Sequence, residues 1–153
     1  MDVFSELVNI LVNFKVDFEI MSHRPVTTSE EAALVRGTTL ESGAKAIVAK
    51  IDRFVLFVLP ANLNIDSKKV KKIFKTKNFR FATDEELYDI TSCKKGAVPP
   101  FGNIFGLETF VDQELLKQKK INFNAGRNDK SIKMKTEDYL KIVKPKIEKF
   151  SQV

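Results

Sequence analysis

Few side chains in this 153-residue chain could carry out catalysis by themselves. One histidine, His23, and one cysteine, Cys93, are present, which excludes a multi-histidine metal site, a CxxC pair and an HExxH helix. There is no Walker loop and no GxGxxG fingerprint. A Cys93–His23 dyad would supply a nucleophile and its base, and Lys94 and Lys95 beside the thiol would favour the thiolate. Nothing else around the two residues supports that pairing, and an ordinary thiol is the simpler reading. The carboxylate pairs Glu30/Glu31 and Glu85/Glu86 fall in the first turns of expected helices, where capping and the helix dipole explain them.

The chemistry that remains belongs to the main chain. Gly96-Ala97-Val98-Pro99-Pro100-Phe101-Gly102 sets two prolines between two glycines. Proline fixes φ and removes a donor, while glycine reaches angles that other residues avoid, so the segment is neither a helix nor a central strand. A stiff loop of this kind can offer N–H and C=O groups to a small polar ligand or a water; a rigid turn is the plainer alternative. Lys45 starts an apolar strand pattern, on the face of Ile47, Ala49 and Ile51. It either snorkels to solvent or meets an anion at the mouth of a pocket, and on the residues alone snorkelling is the simpler account. Phe123 to Ser131 reads as a polar turn between two strands, with Gly126 free to take positive φ.

These residues need elements to hold them. Val3, Phe4, Leu7, Val8, Ile10, Leu11 and Phe14 recur at helical spacing and predict an amphipathic helix over residues 2–15. A short strand over 17–22 follows. Thr28, with Glu31 three residues on, is a capping box that opens a helix to about Arg36, stopped by Gly37. Residues 44–51 and 53–59 are expected strands of an antiparallel hairpin, and the second, apolar on both faces, belongs at the centre of a sheet. A helix over 66–74 turns Val70, Ile73 and Phe74 inward and Lys68, Lys69, Lys71, Lys72 and Lys75 outward. A strand over 79–82 precedes a helix capped by Thr83 that runs to about Ile90. Beyond the glycine–proline loop come a strand over 108–112, a helical turn over 113–117 and strands over 121–124 and 131–134. A helix over 136–143 ends the pattern, broken by Pro145. Several connections are too short for βαβ crossovers. The expectation is one α+β domain over residues 1–153, with a mixed, mostly antiparallel central sheet and flanking helices.

The chain carries 26 Lys+Arg against 20 Asp+Glu, and the net charge of +6 suggests a polyanionic partner, tRNA before a membrane. No apolar run approaches the ~20 residues of a membrane span. The N-terminus lacks the basic start and small-residue cleavage site of a signal peptide. A single cysteine fits a reducing cytoplasm.

Four segments stand in one order over roughly residues 20–145. They are His23-Arg24-Pro25-Val26-Thr27-Thr28-Ser29-Glu30-Glu31-Ala32, then Gly43-Ala44-Lys45-Ala46-Ile47-Val48, then the loop whose Gly96 and Pro100 end a GxxxP pattern, then Asn124-Ala125-Gly126 with Ser131-Ile132-Lys133-Met134. Together they resemble the YbaK family, the stand-alone relatives of the editing domain of bacterial prolyl-tRNA synthetase. The resemblance implies a mixed α+β domain and an activity: hydrolysis of the ester joining a wrong amino acid to the terminal adenosine of a tRNA. Alanyl- and cysteinyl-tRNA for proline are the best-known substrate types. It also implies that Lys45, Gly96 and Pro100 are the catalytic residues. Lys45 would meet the phosphate or ribose of that adenosine, and the loop's backbone would hold the aminoacyl group and orient a water. His23, Thr28, Phe101, Gly102, Asn124, Gly126 and Ser131 would bind substrate. No metal and no cofactor is implied; tRNA is the partner, and an aminoacyl-tRNA synthetase is a further one to consider. The lysines of residues 68–75, with Lys94 and Lys95, would reach tRNA phosphates, although a solvated helix face explains them equally well. Two alternatives stay open: a non-catalytic module binding a nucleotide, tRNA end or protein in the same pocket, and a thiol enzyme using Cys93.

Overall fold

The computed structural model describes residues 1–152. Helix α1 spans Val3–Asn13, opened by the Asp2 carboxylate, which accepts from the Ser5 N–H. Strand β1 (Phe18–Ser22) leads to α2 (Ser29–Arg36), capped by Thr28 and closed by Gly37 in the left-handed conformation. The hairpin β2 (Ala44–Lys50) and β3 (Phe54–Pro60) follows. Next come α3 (Ser67–Phe74) behind the Asp66 cap, β4 (Arg80–Phe81), and α4 (Asp84–Thr91), which Thr83 and Glu86 open with a reciprocal capping box. A 3-10 turn at Gly102–Ile104 precedes β5 (Thr109–Asp112), and a second at Gln113–Lys117 precedes β6 (Lys120–Asn124). The chain ends in β7 (Lys130–Lys135), α5 (Thr136–Val143) and β8 (Lys146–Glu148).

The strands form two sheets, ordered β1-β7-β6 and β4-β2-β3-β5-β8. They meet at one parallel bridge between Gly43 and Asn122, where the Asn122 N–H donates to the Ser42 carbonyl at 3.0 Å. Pairing is mostly antiparallel; β3/β5 and β5/β8 are parallel. The apolar run at β3 is central for a physical reason. Leu56 and Val58 point into a core shared with Leu7 and Leu11 of α1 and with Ile121, Phe123 and Ile132 of the small sheet. Val55, Phe57 and Leu59 point the other way, under α3, where Phe57 has the rings of Phe74, Phe79, Phe110 and Phe150 at 4.9–6.3 Å between centroids. Alternation along one strand thus fills both layers.

Two expectations about elements need correction. The strand expected over 79–82 is shorter: β4 spans Arg80–Phe81, and Ala82 adds one hydrogen bond to Val48 of β2. And Pro145 ends α5 without ending regular structure: the chain resumes as β8, parallel to β5. The charges of Lys146 and Glu148 suit an edge strand, and its anchor lies elsewhere. The buried Asp112 accepts from the Phe150 and Ser151 N–H groups at 2.9 Å each, from the Ser151 hydroxyl at 2.9 Å and from the Glu114 N–H at 3.0 Å. Asp112→Ala leaves these buried donors without an acceptor. It is expected to destabilise the domain by roughly 2–4 kcal/mol in urea unfolding, and an unchanged midpoint would show that β8 is held by other contacts.

Candidate active site

One stretch of sheet edge is left uncovered. Along β2, Lys45, Ile47 and Ala49 face Leu59, Phe57 and Val55 of β3, and the even-numbered residues point their main-chain groups the other way. On that outer side Ser42 is taken by β6, and Val48 accepts from the Ala82 N–H at 3.0 Å. Between them, the N–H and C=O of Ala46 have no protein partner among the described residues. A cleft of about 90 Å³ opens here, between β2, the first turn of α2 and the loop at Gly96 and Val98. Its walls are small: Ala32, Ala33, Gly43, Ala44, Ala46, Ala61 and Gly96 line it, with Thr27, Thr28, Ser29, Thr39 and Asn124 as polar lining. Small side chains are what keep such a cleft from closing.

Two cations face it. Lys45 is half-buried, its Nζ 3.5 Å from the Ala61 carbonyl and 3.4 Å from Asn64 Oδ1, and burial lowers its pKa while Glu30 partly offsets the shift. Arg36, the last residue of α2, is the one that sequence reasoning missed. Its Nε donates to Ser131 Oγ, Nη1 to Asn122 Oδ1 and Nη2 to Asn124 Oδ1, each at 2.8 Å. It faces no carboxylate among the described residues, and burial pushes its pKa down to about 10. In the sequence Arg36 reads as an ordinary basic helix end; the one signal available was the Asn122, Asn124 and Ser131 set, three short polar groups spaced to share one face of paired strands.

Arg36 reaches the loop through Asn124. With its Oδ1 held by the guanidinium, the Asn124 amide turns Nδ2 toward the Gly96 carbonyl, to which it donates. The loop is therefore less free than a ladder-free segment suggests. Gly126 N–H donates to the Ala97 carbonyl at 2.9 Å, and the Tyr139 hydroxyl donates to the Pro100 carbonyl at 2.6 Å. What stays available to a ligand are the N–H groups of Gly96 and Val98, which have no protein partner among the described residues.

The expected site residues divide accordingly. Lys45, Gly96, Thr28 and Asn124 line the cleft. Thr28 also caps α2, accepting from the Glu31 N–H at 3.1 Å. Ser131, fully buried, lies behind them on Arg36, and His23 lies behind Ser131. The His23 Nδ1 is 2.8 Å from the Arg24 carbonyl, which can only accept, so Nδ1 carries the hydrogen and Nε2 takes the Ser131 hydroxyl at 2.8 Å. Both ring nitrogens are engaged, and no Cys93–His23 dyad forms. Cys93 is 2% exposed, directs Sγ to the Gly126 carbonyl at 3.9 Å, and has its pKa raised by burial. Gly126 sits beneath the loop at φ +83°, where a Cβ would come within 2.8 Å of Val3. Three residues lie outside the cleft. Pro100 is buried with its carbonyl engaged; Phe101 is fully buried against Phe123 and Tyr139; Gly102 packs on Thr109. They anchor the loop from the core side, because the aromatic after the two prolines is drawn inward.

The site thus combines main-chain groups and two partly buried cations, with no nucleophile–base pair among the described residues. The model of the aminoacyl-tRNA editing domain matches residues 23–142. The chain is 33% identical over 150 residues to the multifunctional Ser/Thr-tRNA deacylase ProXp-y of Escherichia coli K12, covering 94% of this chain and 90% of that protein. It is 25% identical to the prolyl-tRNA editing protein ProX of Acetoanaerobium sticklandii, over 94% of this chain and 92% of that one. Over 109 residues it is 34% identical to the proline–tRNA ligase of Bacillus licheniformis, of which the match covers 19%. A crystal structure of a protein proposed as a trans-editing enzyme for prolyl tRNA synthetase superposes with a TM-score of 0.85 at 18% identity, covering 100% of this chain and 99% of that one, which bears on the fold alone. The chain belongs to the aminoacyl-tRNA editing domain family, and its class of activity is deacylation of aminoacyl-tRNA.

The two loop glycines should behave differently. A Cβ on Gly96 meets only the Thr27 carbonyl at 3.9 Å, so Gly96→Ala carries just the strain of φ +85°, about 1–2 kcal/mol. A Cβ on Gly102 would lie 2.2 Å from Thr109 Oγ1 and 2.5 Å from the Leu107 carbonyl, so Gly102→Ala should lose about 3 kcal/mol or more. Urea melts of both variants measure this, and equal losses would overturn the division of the loop into a cleft side and a core side.

Proposed function

We propose that this domain clears tRNA mischarged with a small, hydroxyl-bearing amino acid, acting in trans, and that its main chain does the positioning. The carrying observation is the open edge at Ala46 facing the unpartnered Gly96 and Val98 N–H groups across a cleft of about 90 Å³. An aminoacyl ester is already activated, so the site must hold a water near the carbonyl carbon and stabilise the oxygen that becomes negative. The Gly96 and Val98 N–H groups are the donors for that oxygen. Water adds to the carbonyl carbon, the ester C–O bond breaks, one proton of the water passes to the ribose oxygen and the other to solvent, and the amino acid leaves as its carboxylate. The neighbouring ribose hydroxyl, free in the substrate, assists the proton transfer. Lys45 holds the phosphate or ribose at the tRNA end as a point charge.

The choice of amino acid follows from the lining. Thr28 and Asn124 are engaged with Glu31 and with Arg36 and Gly96, while Ser29 and Thr39 give the cleft hydroxyl groups that have no partner among the described residues. Such groups favour a side chain that returns a hydrogen bond and disfavour one that leaves them unpaired. This supports serine or threonine over alanine or cysteine, in keeping with the Ser/Thr-tRNA activity in the name of the E. coli relative. That relative is matched over 90% of its length, which supports action in trans rather than within a synthetase.

Release of amino acid from seryl-, threonyl-, alanyl- and cysteinyl-tRNA is expected to be fastest for the first two, and Lys45→Ala should slow it at least tenfold. Equal or faster alanyl release would overturn the hydroxyl preference. Tight tRNA binding with no turnover of any of the four would replace the enzyme with a binding module. A second variant probes the floor. Asn124→Asp keeps an acceptor for Arg36 but sets a carboxylate oxygen against the Gly96 carbonyl. Its melting temperature should hold or rise while turnover drops at least tenfold; full activity would mean that the Asn124–Gly96 bond does not position the loop.

A further inference from the structure

A second groove continues from the cleft. Ala46, Gly96 and Val98 line both, and the groove runs on past Ile47 and Val48 to Phe81, Ala82 and Leu87, with Asp84 and Lys95 as its charged groups. Its volume of about 300 Å³ lies at the lower end of small-molecule sites, and its walls are mostly apolar. Phe81 is 58% exposed, and its ring is fixed edge-on by Phe79 at 5.4 Å between centroids. A lone exposed aromatic means little. This one stands in an apolar trough that begins at the catalytic loop.

Size decides what the trough can take. The cleft of about 90 Å³ holds an aminoacyl group and has no room for the nucleoside joined to it by a single ester oxygen. That nucleoside must lie beside Gly96, where the groove begins. We propose that the groove holds the adenine of the terminal adenosine, stacked on Phe81, with the ribose across Ala46 and Gly96. The assignment rests on the deacylase reading above and gives it a nucleobase subsite. Base–aromatic stacking tolerates any base, because every base has a π-face. The exposed Asp84 carboxylate can accept from the adenine amino group, and the larger purine face stacks more strongly on the ring than a pyrimidine does. The exposed Lys95 suits the phosphate on the 5′ side of the adenosine.

The chain has no tryptophan, so Phe81→Trp introduces a single reporter at the groove. Titration with adenosine 5′-monophosphate should quench the indole emission saturably, and uridine 5′-monophosphate should do so much more weakly. In deacylation, Phe81→Ala should raise KM roughly tenfold with kcat within about twofold, and Phe81→Trp should restore KM. Circular dichroism melts should leave both variants as stable as the parent, because Phe81 is exposed. An indole that ignores adenosine monophosphate at millimolar concentration, or an unchanged KM in a Phe81→Ala enzyme that still turns over, overturns the adenine site while deacylation stands. An indole that responds to adenosine monophosphate in a chain that deacylates nothing keeps the nucleotide groove and overturns the catalytic reading.

Discussion

Strand β2 cannot pair along its whole outer edge, and the site exists because of that constraint. The edge is claimed at Ser42 by β6 and at Val48 by the chain entering α4, which leaves Ala46 between them. Native proteins usually cover such an edge with a strand, a bulge or a charge. Here it is faced by a loop that cannot become a strand, because Pro99 and Pro100 have no N–H to give to a ladder. The gap therefore stays open, with main-chain donors on the loop side and main-chain groups of Ala46 on the other. Alanines at 44 and 46 then matter as much as the prolines: a larger side chain at either would fill the opening.

Arg36 is the fastening that lets the opening be rigid. A guanidinium without a carboxylate partner is an unfavourable thing to bury, and its pKa of about 10 records that burial. Its planar fork reaches Asn122 and Asn124 on β6 and Ser131 on β7 at once, which a lysine could not do. One cation so joins the end of α2 to both strands of the small sheet and, through the Asn124 amide, to Gly96. Together with the half-buried Lys45, whose charge Glu30 offsets only in part, it leaves the cleft positive. Charge of that sign, already in place before a ligand arrives, suits an oxygen that turns negative during reaction and the phosphate of a nucleic-acid end.

Much of this was legible beforehand, for identifiable reasons. Helices α1, α2 and α4 declare themselves through periodicity and through the caps Thr28 and Thr83, which are local signals. The hairpin and the central position of β3 follow from a run that is apolar on both faces. Strand β8 was not legible, because three residues after a proline carry no pattern, and the chain beyond them is anchored by Asp112, 38 and 39 positions before Phe150 and Ser151. In the site, motif order brought Lys45, Gly96, Thr28 and Asn124 to one cleft. It also drew in Phe101 and Gly102, whose neighbourhood to Gly96 in sequence conceals that the chain turns into the core between them. Arg36 went unseen for the opposite reason: its partners are 86–95 residues away, and only the pairing of β6 with β7 and the docking of α2 assemble them.

The scarcity of reactive side chains, a weakness in the sequence, becomes an argument once the geometry is in view. His23 has both nitrogens engaged and Cys93 is buried against a carbonyl, so neither is left to attack or to abstract a proton. A peptide bond or a phosphodiester would be beyond such a site, because each needs an activated nucleophile or strong acid–base help. An aminoacyl ester next to a free ribose hydroxyl needs only placement, exclusion and a donor for its oxygen. In the reaction proposed above, those tasks fall to the backbones of glycine, alanine and valine, held by asparagine and arginine behind them. On the same proposal, specificity falls to the few side chains that line the cleft, Ser29 and Thr39 among them. Their exchange could change which amino acid is removed without touching the main-chain atoms that remove it.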